Sequence, residues 1–94
     1  MRTLANAAVI VQATDLPVSA DLEDGFGPRP EDVAETIRQA AAIGLVGCTI
    51  EDTTADPAHP IHGFSLSVER VSAAVEAAEA RQVAAAQERL ASLT

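Results

Sequence analysis

Residues 17–27 read PVSADLEDGFG, in which a short apolar run gives way to three carboxylates in four positions. Asp21, Glu23 and Asp24 stand against the turn Gly25-Phe26-Gly27. A second acidic pair, Glu51-Asp52, closes the apolar stretch LVGCTI over 45–50. Carboxylates crowded in this way repel one another. A hard dication such as Mg²⁺ relieves that repulsion, because it takes oxygen ligands and keeps several waters. A cation so held can polarise a substrate carbonyl and stabilise an enolate. Gly25 and Gly27 allow unusual φ values and close backbone approach to a ligand. Acidic residues beside turns are also ordinary loop residues, so residue type alone leaves both readings open. No Ser-His-Asp arrangement, phosphate-binding Gly loop or dinucleotide fingerprint competes with them.

The elements that must position these groups follow from periodicity and punctuation. Residues 3–13 predict a helix with Leu4, Ala7 or Ala8, and Val11 on one face, although Val9-Ile10-Val11 is also strand-like. Residues 17–21 predict a short strand, with Pro17 at its first position, where no ladder donor is needed. A helix starts near Pro30, whose fixed φ suits a first turn. Glu31 and Asp32 complement its dipole, and Gly44 caps its end. Residues 45–50 form a strand whose unbroken apolar character suits burial on both sheet faces. Ser65 or Ser67 could cap the last helix. Its apolar stripe runs through Val68, Val71, Val75 and Ala78, and residues 81–94 read as a helical tail. The order is α-β-α-β-α, a single α/β domain over 1–94 with two parallel strands. Ligands sit at the carboxyl ends of parallel strands. Neighbouring strands lie about 4.8 Å apart, so at least two carboxylates, from Asp21 or Glu23 on one strand and Glu51 or Asp52 on the other, can meet at one rim. Asp21 and Glu23 point the same way if the extended conformation persists between them.

Composition narrows the partners. The net charge is −8 and Lys is absent, which disfavours nucleic acid and anionic membrane surfaces. No stretch approaches the roughly 20 apolar residues of a membrane span. Cys48 is the only cysteine, so no internal disulfide forms, in keeping with a reducing cytoplasm. Phe26 and Phe64 are the only aromatics and Ala dominates the apolar count, so the core should be thin.

PVSADLEDGFG, followed some two dozen residues later by GLVGCTIED, resembles the isocitrate lyase/phosphoenolpyruvate mutase superfamily. PEDVAETIRQAAAIG between the two motifs and FSLSVERVSAAVEAA after them match in position, so the likeness covers about residues 4–80. The resemblance implies part of a (β/α)₈ TIM barrel, its central βα units. It also implies cleavage or rearrangement of C–C or P–C bonds in small 2-oxo or 2-hydroxy carboxylates through a Mg²⁺-stabilised enolate, with Mn²⁺ as a substitute. Residue by residue, it makes Asp21, Glu23 and Glu51 the metal-site acids and Gly25, Phe26 and Gly27 the pocket-lining turn. Asp24 and Asp52 receive no direct role.

Two departures qualify the expectation. Well-studied members carry a Lys, often with a Cys, in the loop after the second motif; TTADPAHPIHGFS has neither. A barrel also needs roughly 250 residues, against 94 here, so the chain is expected to be a fragment, inactive alone. Open sheet edges then imply either weak independent stability or self-association, as in a homo-oligomer. The rival expectation is a non-catalytic α/β interaction module that associates through those edges. His59 and His62 are expected to be ordinary loop histidines and Cys48 a packed, inert thiol. Arg29 is a candidate for a substrate carboxylate, although a solvated role suits it better; Arg38, Arg70 and Arg81 read as exposed helix positions.

Overall fold

The computed structural model describes residues 3–93. Its elements are α1 (Ala5–Gln12), β1 (Ser19–Asp21), α2 (Pro30–Ala42), β2 (Gly47–Thr49) and α3 (Phe64–Ser92). The expected order holds, and the two strands pair in parallel with Ser19 opposite Gly47, Ala20 opposite Cys48 and Asp21 opposite Thr49. Both strands are shorter than the apolar runs that contain them. Pro17 lies outside β1, which starts at Ser19.

The first turn of α2 follows its sequence signals closely. Pro30 occupies a first-turn position, and the Asp32 carboxylate accepts the Arg29 N–H at 3.0 Å. That is one half of a capping box; the Arg29 side chain has no acceptor with which to supply the other. Arg29 itself is an exposed partner of Asp32 at 3.6 Å. Val33, Ala34, Thr36, Ile37 and Ala40 are buried along α2. The core joins Leu4, Leu22, Ala34, Ile37, Ala40 and Ala77, so alanine fills half of it. Leu4 is buried and Ala7, Ala8 and Val11 are half-buried, so the predicted face of α1 is the one turned inward.

Helix α3 departs from expectation in two ways. It begins at Phe64 behind an extended Gly63, so Ser65 and Ser67 lie within its first turn and neither caps it. Its buried face carries Arg70 and Ala77, with Ala73 and Ala74 partly buried, and not the valine stripe. Val68, Val71 and Val75 are exposed. Small side chains let α3 approach α2 closely, and the larger valines are left roughly a third of a turn away. The helix runs unbroken to Ser92; Thr94 lies outside the described residues. At about 1.5 Å per residue this helix sets the long dimension of a molecule measuring 55 × 28 × 19 Å.

Strand β2 is not buried on both faces; Gly47, Cys48 and Thr49 are all exposed. Among the described residues it pairs only with β1, and its other edge is open. Cys48 is therefore an exposed residue, although enough protein surrounds its thiol for burial to push the pKa up. The expectation of a packed, protected cysteine fails for the same reason. Iodoacetamide is expected to alkylate Cys48 in the folded protein, slowly near neutral pH and faster as the thiolate forms at higher pH. Protection from labelling until denaturant is added would contradict the exposed strand. No helix among the described residues is long and apolar enough to cross a membrane.

Candidate functional site

Strand β1 ends at Asp21, and the chain does not stay extended to Glu23. Leu22 is buried, its N–H bonding to the Thr49 carbonyl at 2.9 Å. Glu23 then adopts φ +55°, so the premise of simple strand alternation is corrected: a turn sets the direction of this acid. The Asp21 carboxylate accepts the Glu23 N–H at 2.8 Å, which holds that left-handed step. The Glu51 N–H donates to the Glu23 carbonyl at 2.6 Å. The main chains of Glu23 and Glu51 are thus hydrogen-bonded neighbours at the carboxyl ends of β1 and β2. Asp21, Glu23 and Glu51 are all exposed on that side of the sheet.

The turn after Glu23 is tightly specified. Gly25 has φ +78°, which glycine adopts without steric cost, and Phe26 has φ +68°, which a side chain rarely adopts. The Asp24 carboxylate accepts the Phe26 N–H at 3.0 Å, giving Asp24 the structural role that sequence reasoning left blank. The buried Thr36 hydroxyl lies 2.7 Å from the Gly25 carbonyl and 3.0 Å from that of Asp32, tying the turn to α2. Phe26 packs against the core, while Gly27 lies where a Cβ would come within 2.6 Å of Asp32. Gly25-Phe26-Gly27 is therefore a shaped turn beside the acidic rim.

The residue that sequence reasoning missed is Arg70. It is 2% exposed and is the largest fully buried side chain. Its guanidinium donates to the carbonyls of Gly27 (2.6 Å), Pro28 (3.0 Å), Asp24 (2.6 Å) and Glu51 (3.3 Å). A signal was present: Arg70, Ala73, Ala74 and Ala77 fall at i, i+3, i+4 and i+7, so the arginine shares the face of smallest residues. The loop after β2 closes on itself. Thr53 bridges Ile61, and the Thr54 hydroxyl reaches the His59 carbonyl at 2.6 Å. His59 pairs with Asp56 at 3.2 Å and is exposed, and the His62 N–H donates to the Asp52 carbonyl, so both behave as loop residues.

Carboxylate oxygens are the donors that Mg²⁺ and Mn²⁺ prefer, and Asp21, Glu23 and Glu51 could supply them. Among the described residues no three His, Cys, Asp or Glu side chains already form a closed cage. The donor set suits a cation that takes one or two carboxylates and fills its remaining positions with water and substrate oxygens.

The chain belongs to the phosphoenolpyruvate phosphomutase family, whose model matches residues 1–87. It is 36% identical over 73 residues to "Probable 2-methylisocitrate lyase 2" of Corynebacterium glutamicum, a match covering 70% of this chain and 23% of the relative. A crystal structure from Burkholderia cenocepacia named as a lyase/mutase superposes with a TM-score of 0.80 at 56% identity, over 82% of this chain and 28% of the other. A second from the same organism, named as a phosphonomutase, gives 0.71 at 44% identity, over 77% and 28%. The chain thus spans about a quarter of the length of these relatives. The superfamily implied by the two sequence motifs is the one found.

Proposed function

We propose that this chain forms the central βα units of a TIM barrel in a Mg²⁺-dependent lyase or phosphonomutase, and carries its acidic rim. The substrate class is a small 2-oxo or 2-hydroxy carboxylate, and the bond acted on is C–C or P–C. The observation that carries the reading is the main-chain bond between Glu51 and Glu23, which holds acids from two parallel strand tips side by side. Bound at this rim, the cation supplies Lewis-acid polarisation of the substrate's oxygens. Asp21, Glu23 and Glu51 would hold it, and Gly25-Phe26-Gly27 would shape the adjoining pocket. Carboxylate binding and proton transfer need groups beyond these. The family's loop Lys has no counterpart in residues 53–65.

Calorimetric titration with Mg²⁺ and Mn²⁺ tests the reading. Binding is expected in the wild type and its marked loss in Asp21→Asn, which removes the charge but keeps an oxygen to accept the Glu23 N–H, so the melting temperature stays near that of the wild type. Equal binding by both proteins would overturn the assignment of Asp21.

A second reading is favoured by one observation. A groove of about 560 Å³ opens beside β2, lined by Ile37, Leu45, Val46, Ile50, Val71 and Val75. With the open β2 edge, it suits a module that self-associates. That reading predicts a concentration-dependent mass by light scattering and no response to divalent cations.

A further inference from the structure

We propose that Arg70 is a positioning residue for the acidic rim, acting through the main chain of two segments distant in sequence. All four carbonyls around its guanidinium belong either to the turn after β1 or to the exit of β2. Nη1 holds Gly27 and Pro28, while Nη2 holds Asp24 and Glu51. Glu51 is therefore fixed from both sides, its carbonyl by Arg70 and its N–H by the Glu23 carbonyl. Its side chain is left to project outward from a backbone that cannot shift freely. The same arginine places one positive charge, fully buried, behind a rim that carries Asp21, Glu23, Asp24, Glu51 and Asp52. The planar fork is the reason for arginine at this point. It spans two carbonyl groups at once, whereas an ammonium is a point donor at the end of a flexible stem. Asp24, which has no direct role in binding, contributes through its carbonyl to Arg70 and its carboxylate to Phe26. Arg70 thus joins α3 to both strand tips, and the long helix becomes a part of the rim's support.

Amide exchange followed residue by residue in the full chain tests this. In Arg70→Lys and Arg70→Met, the amides of Leu22, Gly25, Phe26 and Glu51 are expected to exchange at least about tenfold faster, while those of Ile37 to Ala41 keep their rates. Full protection of the rim in Arg70→Lys would overturn the proposal, because lysine keeps the charge without the fork. Equal loss of protection in α2 would overturn it as well, reducing Arg70 to general packing. If both variants fail to fold, exchange in the wild type decides. Leu22, Gly25, Phe26 and Glu51 are then expected to open together under mild denaturant, and separate openings would contradict the bridge. A second arm rests on the divalent-cation reading above. Mn²⁺ affinity is expected to fall about tenfold in Arg70→Lys and to stay unchanged in Ala77→Gly, which loosens the α2–α3 contact away from the rim. An unchanged affinity in Arg70→Lys would overturn the positioning role. If the wild type takes up no Mn²⁺, the cation reading fails, and the exchange arm still decides the role of Arg70.

Discussion

Ile37→Ala is expected to lower the melting temperature by about 10–30 °C. Ile37 is 7% exposed and stands at the centre of a core in which three of six members are alanine. Truncating a buried isoleucine costs about 2–4 kcal/mol, as lost transfer energy plus the cavity left behind. A chain of 94 residues has roughly 5–14 kcal/mol in total. A thin core and an unpaired sheet edge place this one toward the lower end. Val71→Ala is the matched control, because Val71 is 58% exposed and its loss should move stability by less than about 0.5 kcal/mol. The same control should reduce any self-association, since Val71 lines the open groove. Circular dichroism melts of the two variants check the contrast. Equal destabilisation by both would mean that the valine stripe is buried against something, as in an oligomer.

Gly25→Ala is expected to be comparably damaging, for a different reason. Gly25 has φ +78°, and a Cβ placed there would meet Val33 Cγ2 at 3.0 Å. The left-handed conformation costs a non-glycine residue about 1–2 kcal/mol, and Val33 is fully buried, so it would have to give way inside the packed interior. Overpacking of that kind adds roughly 1–3 kcal/mol. The effect should reach function before it reaches the fold, because the strain falls on the turn that orients Glu23 and Phe26. Divalent-cation affinity is expected to drop more than the helix content seen by far-ultraviolet circular dichroism. Retained affinity and an unchanged melt would show that the turn tolerates a Cβ, contrary to the packing described.

What the sequence made legible were the features governed by local chemistry. Pro30 and Asp32 marked the start of α2, and Gly44, with φ +96°, its end. The two acidic motifs marked the strand tips and carried the family likeness at the same time. What stayed hidden depended on contacts between distant segments. The valines of α3 gave the stronger periodic signal, yet its buried face is alanine and arginine, because close approach to α2 favours small side chains. An arginine on a helix reads as solvated until its carbonyl partners 19 to 46 residues away come into view. Cys48 sits in an apolar run that suits a doubly buried strand, but burial there requires a neighbour beyond β2. The rim was legible in composition and only partly in direction, since the positive φ of Glu23 cannot be read from Leu22-Glu23-Asp24.

The central claim is that acids at two neighbouring strand tips together hold a divalent cation. Paramagnetic broadening of backbone amide signals by substoichiometric Mn²⁺ locates that cation directly. The account predicts selective broadening of residues 21–25 and 50–52, reversed by excess Mg²⁺. Broadening spread over the acidic surface of α3 around Glu76 and Glu79, or none at the rim, would contradict it.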